Sequence, residues 1–174
     1  MKEGFATLIE LESETNVLGT WPVALAEGRV RSMRQNLPPL VEGGRYNPQK
    51  RAPEQWGSVS PDTRDRIHAV RSGICQRTDG LFLYFWGAEL SPEALGKSMI
   101  DAGCTYGMHL DMNPGLTGFE FCRYAPGPRP DPWTSKRLHQ RMSLATFPLC
   151  SMRRSPRDFF VLLERKGAQT ATPR

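Results

Sequence analysis

The chain has 174 residues, enough for one domain with a real core, and its 39% hydrophobic and 24% charged content is that of a globular protein rather than a disordered one. The net charge is +5, with Arg far outnumbering Lys, which mildly favours an anionic partner. The charges are scattered and no basic stretch is interleaved with aromatics, so no nucleic-acid partner is expected.

No apolar run approaches the roughly 18 residues of a membrane span. The N-terminal MKEGFATLIELESE carries acids inside its apolar stretch, unlike the uninterrupted apolar region of a secretory signal. The 15 Pro and 16 Gly predict many turns and long connections.

In chain order, FATLIELES and, after Gly19, TWPVALAEGRVRSM read as strands. Residues 35–66 are dense in Pro, Gly and Asn and read as one long irregular loop. Ile67 to Arg77 (IHAVRSGICQR) has strand character. Asp79-Gly80 then signals a hairpin into LFLYFWG, whose unbroken apolar run suggests burial on both faces. SPEALGKSMIDAG is the clearest helix. Ser91 suits the N-cap, Pro92 the first turn and Gly103 the left-handed position past the end. Ala94, Leu95, Met99 and Ala102 fall on one face. Gly96 inside the helix suggests close packing on the sheet.

TYGMHLDM follows as a strand, so strand–helix–strand predicts a βαβ unit with two parallel strands. FEFCRYAPGPRPDPW reads as a strand running into a Pro-rich loop, RDFFVLLERKG as a strand, and residues 167–174 as a disordered tail. The fold class is therefore α/β of an α+β-like kind. A single domain over 1–174 has a mixed sheet in which a central β-hairpin precedes a βαβ unit. The four cysteines (Cys75, Cys104, Cys122, Cys150) form no C-x-x-C pair, so no metal site is expected from them. Buried thiols are favoured, with one disulfide left open.

Asp111 is the first candidate for chemistry. A carboxylate ending a strand before Met-Asn-Pro-Gly suits a general base or a ligand contact, and equally an Asx-turn capping its own loop amides. In α/β sheets ligands bind beyond the carboxyl ends of the strands, where this reading puts Asp111. His109 shares its face and could pair with it. The chain has three histidines (His68, His109, His139) and no metal spacing. Arg71, inside an apolar strand, is either an oxyanion clamp or half of a structural ion pair. Asn113, Gly115 and Thr117 offer polar groups and close backbone approach, or only a turn.

RSGICQRTDGLFLYFWG, then SPEALGKSMIDAGC, then YGMHLDMNPG, with RQNLPPLVEGG upstream, resembles the phosphodiester glycosidase domain family. That family includes the lysosomal uncovering enzyme that removes N-acetylglucosamine from a phosphodiester, and many bacterial exported proteins. The resemblance covers about Gln35 to Thr117, close to half of the chain. After Leu110-Asp111 this sequence has Met-Asn-Pro-Gly-Leu-Thr where the family has a glycine run and Ser. An "Asn-Gly-Phe-Phe"-like N-terminal block has no counterpart, which implies the C-terminal part of a larger domain. The resemblance implies Asp111 and Arg71 as catalytic residues, with Arg71 contacting phosphate. It also implies Gln35 and Asn36 near the same pocket, where His109, Asn113, Gly115 and Thr117, read from the residues themselves, complete the candidate substrate contacts. It further implies a hydrolase acting on a sugar-1-phosphodiester or related cell-envelope glycan, without cofactor or metal, in an extracellular or periplasmic setting. The alternative is a non-catalytic carbohydrate- or anion-binding module that retains the fold.

Overall fold

A computed structural model describes residues 1–23, 28–57, 67–113, 117–123, 134–142 and 162. The central hairpin forms around Asp79-Gly80. β6 (Ala69–Arg77) pairs antiparallel with β7 (Phe82–Leu90), and the Leu81 amide donates to Asp79 Oδ1 inside the turn. The helix α1 (Pro92–Asp101) follows directly. The Ser91 side chain accepts from the Ala94 amide at 3.0 Å, satisfying one of the orphan donors of the first turn. Gly103, at φ +86°, ends the helix with its amide donating to Ile100.

The chain then enters β8 (Cys104–His109), which pairs with the free side of β6 rather than with β7. Both β7 and β8 are antiparallel to β6, so they run parallel to each other with β6 between them. The βαβ unit is present but spans an intervening strand, and every ladder among the described residues is antiparallel.

Part of the stretch read as an irregular loop is ordered. It supplies β4 (Val41–Glu42) and β5 (Arg45–Tyr46), turned by Gly43 and Gly44 at φ +57° and +69°, then a 3-10 turn at Pro53–Gln55. Two successive positive φ values are what a tight hairpin needs and what paired glycines adopt without strain. β4 pairs with β8, completing a five-stranded sheet of order β5-β4-β8-β6-β7. LFLYFWG therefore lies in the edge strand and is only half-buried, not enclosed on both faces.

The stretch after Gly19 is not one strand. β2 (Asn16–Thr20) ends before a cis Trp21–Pro22 bond, and β3 (Val30–Gln35) begins a separate element. These flank β1 (Ala6–Leu11) in a three-stranded antiparallel sheet. β9 (Glu120–Arg123) and β10 (Thr134–Arg137) form a third, two-stranded sheet. RDFFVLLERKG, apart from Leu162, and the 167–174 tail lie outside the described residues.

Packing follows strand alternation. One face of the large sheet meets α1 through Leu40, Val41, Trp56, Cys75, Leu95, Met99 and Cys104. On the other, Met108, Ile74 and Phe82 meet Ala6, Leu8 and Leu18 of the small sheet. Where the two sheets meet, Thr20 Oγ1 donates to Glu42 Oε1 at 2.5 Å and lies 2.9 Å from the Tyr106 hydroxyl. Burial raises the Tyr106 phenol above its usual pKa, so it stays neutral. Cys75 and Cys104 are not thiols: they form a disulfide between β6 and β8 with Cα atoms 5.9 Å apart. Cys122 is also disulfide-bonded. No helix among the described residues is long and apolar enough to cross a membrane.

Candidate functional site

The candidate residues gather where β7 and β8 end and β6 begins. Arg71 enters from the second turn of pleat in β6, His109 closes β8, and Asp111 follows two residues later. Backbone bonds hold this end together. The Leu110 amide donates to the Ser72 carbonyl at 2.8 Å, and the Ser72 amide and hydroxyl donate to the Asp111 carbonyl.

Arg71 is 0% exposed. Its Nε donates to the Leu90 carbonyl at 2.8 Å and Nη2 to the Ile67 carbonyl at 2.8 Å. Nη1 donates to the Trp56 carbonyl at 2.9 Å and faces His109 Nε2 at 3.0 Å. Among the described residues no carboxylate pairs with it. Burial lowers its pKa from the ordinary value, opposed by the Tyr46 phenol. The guanidinium thus ties three chain segments together, and its contacts are to carbonyls, an imidazole and, at longer range, the Met112 thioether rather than to Asp111.

His109 is 1% exposed. A guanidinium can only donate, so Nε2 is the acceptor and the ring proton sits on Nδ1. That N–H lies near the Leu110 carbonyl without reaching hydrogen-bond geometry. Burial, with Arg71 beside it, pushes the imidazole down to about 4, and Asp111 opposes this only partly. His109 is therefore a neutral acceptor for Arg71 at ordinary pH.

Asp111 forms the Asx-turn. Its Oδ1 accepts from the Met112 amide at 2.6 Å, the Asn113 amide at 2.8 Å and Asn113 Nδ2 at 2.6 Å. The turn fixes the carboxylate, while Oδ2 has no hydrogen bond among the described residues and the residue is half-exposed. An anchored carboxylate with one oxygen unused is a group that can face a ligand.

The remaining candidates divide. Asn36 joins the site through its scaffold: Nδ2 donates to the His109 carbonyl at 2.7 Å and the Leu110 carbonyl at 3.3 Å. Gln35 does not, because its side chain is bound to Lys2 and Thr7 of the N-terminal segment. Thr117 is buried, and its hydroxyl donates to the Asn113 carbonyl at 3.0 Å. Gly115 lies outside the described residues. Among the described residues no group of three His, Cys, Asp or Glu is placed to hold a metal ion.

Two neighbours escaped the sequence reading. Trp56 is fully buried, with its ring 6.0 Å from His109 and beneath Arg51, and its indole Nε1 has no acceptor among the described residues. Met112, 8% exposed, puts its Sδ 3.8 Å from Arg71 Nη1. The one signal for Trp56 was a large aromatic within a Pro/Gly-rich stretch. Tyr46, packed against α1, is raised in pKa by burial and by Glu93, while Arg71 opposes the rise.

No protein-family model matches the chain, and no curated protein matches it.

Proposed function

We propose that this domain is a phosphodiester glycosidase-like hydrolase acting on a sugar-1-phosphodiester or related cell-envelope glycan bound at the carboxyl end of β8. The observation that carries the reading is the pairing of unlike charges at one strand end. A buried guanidinium without a carboxylate partner among the described residues stands near an anchored carboxylate with a free oxygen. Cleavage of a glycosyl–phosphate bond leaves negative charge on the departing phosphate and develops positive charge on the sugar ring. A cation on the phosphate side and a carboxylate on the ring side oppose both changes. Asp111 Oδ2 is the group for the ring side, and Arg71 supplies the cation. Asn36, Asn113, Thr117 and His109 hold the two in place.

The Cys75–Cys104 disulfide supports an extracellular or periplasmic setting, where such bonds persist. The test is release of sugar from a panel of glycosyl phosphodiesters by wild type, Arg71→Ala and Asp111→Asn. The expected result is turnover by wild type and its loss in both variants. Undiminished turnover in both would remove the site assignment.

One observation favours a second reading, a binding module without turnover. Asp111 Oδ1 is saturated by its own turn, and the Met112 thioether covers Arg71 Nη1. Calorimetric binding of sugar phosphates with no product from any panel member would select it.

A further inference from the structure

The β9–β10 ribbon touches the edge strand β7, and its register decides which of its side chains share a face. Phe121 lies opposite Lys136, and the Leu138 amide donates to the Phe119 carbonyl at 3.0 Å. Side chains alternate along each strand, so Phe119, Phe121, Lys136 and Leu138 share one face. Phe119 rests on the large sheet, its ring 5.3 Å from that of Tyr84 in β7. Phe121 packs on Phe119 at 5.2 Å yet is 52% exposed, and Leu138 on the same face is 48% exposed.

A single exposed hydrophobe needs no explanation. Here two large apolar side chains are neighbours, and the aromatic one is anchored to the sheet by a chain of rings. Lys136, on their face, and Arg141, in the turn that follows, are exposed as well. Over the described residues 117–123 and 134–142 the sequence has four basic residues (Arg123, Lys136, Arg137, Arg141) against the single acid Glu120. An anchored aromatic, an aliphatic neighbour and long-stemmed cations are the parts of an interfacial binding face. The apolar groups enter the boundary between headgroups and acyl chains, while the charged tips stay with the phosphates. The positive excess selects an anionic surface.

We propose that the Phe121–Leu138 face of the β9–β10 ribbon docks on an anionic phospholipid bilayer. The contact is peripheral: it needs no membrane-crossing segment and does not depend on what the Asp111 site binds. Charge argues against a second copy as the occupant. Two such faces meeting about a two-fold axis would set Lys136 and Arg141 against their own kind.

The intact chain, with its disulfides formed, is sedimented with vesicles of equal parts phosphatidylglycerol and phosphatidylcholine, and with vesicles of phosphatidylcholine alone. Wild type is expected in the pellet with the anionic vesicles and in the supernatant with the neutral ones. Phe121→Ser/Leu138→Ser and Lys136→Glu/Arg141→Glu are each expected to weaken binding about tenfold or more. Lys50→Glu/Lys97→Glu, the same charge change at exposed positions outside the ribbon, stays within a few-fold of wild type. Wild type that remains in the supernatant with both vesicles overturns the proposal. So does a remote pair that weakens binding as much as the ribbon pair, since the attraction is then one of net charge alone. Should Phe121→Ser/Leu138→Ser fail to fold by circular dichroism, the two charge variants decide. Self-association of wild type that this apolar pair abolishes, without vesicle binding, assigns the face to a second copy and overturns the lipid.

Discussion

At His109 burial, reinforced by Arg71 beside it, sets the protonation state, and that has a consequence for stability. The folded imidazole titrates at about 4, against an ordinary value near 6.5. Between these values the unfolded chain binds a proton that the folded chain refuses, so stability rises with pH across the window. It is lost as pH falls from about 6.5 toward 4 and levels off below, for a total of about 3 kcal/mol. The charges that face the ring are Arg71, which deepens the shift, and Asp111, which opposes it. In His109→Gln a side-chain oxygen can accept from Arg71 without titrating. Urea melts at pH 7, 5.5 and 4 should show a clearly shallower pH dependence in that variant than in wild type. Equal slopes would mean that His109 does not titrate as its burial requires.

Arg71 carries a second prediction at the same scale. Its fork serves the Leu90, Trp56 and Ile67 carbonyls at once. A lysine ammonium is one point and cannot span three segments. Arg71→Lys should therefore cost about 2 kcal/mol through carbonyls left unpaired, read as a lowered urea midpoint with unchanged m value. The sequence marked Arg71 as unusual because a charged residue in an apolar strand needs a partner. It could not name the partners, because backbone carbonyls from Ile67, Trp56 and Leu90 leave no signature in residue type. At Asp111 both readings are legible in the sequence, and the structure gives the turn to Oδ1 while Oδ2 has no hydrogen bond among the described residues.

Among the elements, α1 was the most legible because its signals are local. Ser91, Pro92 and Gly103 each act within one turn of the helix end they define. β4 and β5 were missed because two-residue strands are too short to show a period. Their one local mark was Gly43-Gly44 between Glu42 and Arg45. LFLYFWG reads as a strand buried on both faces, yet it is half-buried, because an apolar run does not report how many neighbours it has. That depends on β8 choosing the far side of β6.

Gly96 tests the difference between local and tertiary effects. Helix propensity alone says Gly→Ala should stabilise by about 1 kcal/mol. The Tyr46 ring of β5 lies against Gly96, however, and a Cβ there would overlap ring atoms close to its attachment. Gly96→Ala should instead destabilise by about 1–3 kcal/mol, because the ring must leave its place on the helix. Thermal melts of Gly96→Ala, and of Gly96→Ala with Tyr46→Leu, decide between the two. The double variant should recover much of the loss, and a stabilised single variant would show that propensity outweighs packing here.

Over the whole molecule, the large sheet is the middle layer between α1 and the small sheet, and β6 and β8 are its central strands. The disulfide joins those two strands on the α1 face, in the same cluster as Leu95, Met99 and Trp56. Its chain separation of 29 residues encloses the hairpin, the edge strand β7 and the whole of α1. Cross-linking a loop of that length removes unfolded-state entropy worth about 3–4 kcal/mol. The paired change Cys75→Ala/Cys104→Ala should therefore destabilise by at least that amount, since the lost sulfur volume adds a packing cost. The candidate site is built from the other end of the same strands, from Arg71 of β6 and His109 of β8. The five-residue pairing from Gly73–His109 to Arg77–Cys104 connects the two ends. If the sheet acts as one rigid layer, the double variant loses global stability while phosphate binding per folded molecule is retained. The measurement is a urea melt beside a phosphate titration in the absence of denaturant. A lowered midpoint with near wild-type affinity is the expected pair of results. Loss of affinity in protein that is still fully folded would show instead that the disulfide sets the register on which Arg71 and His109 depend.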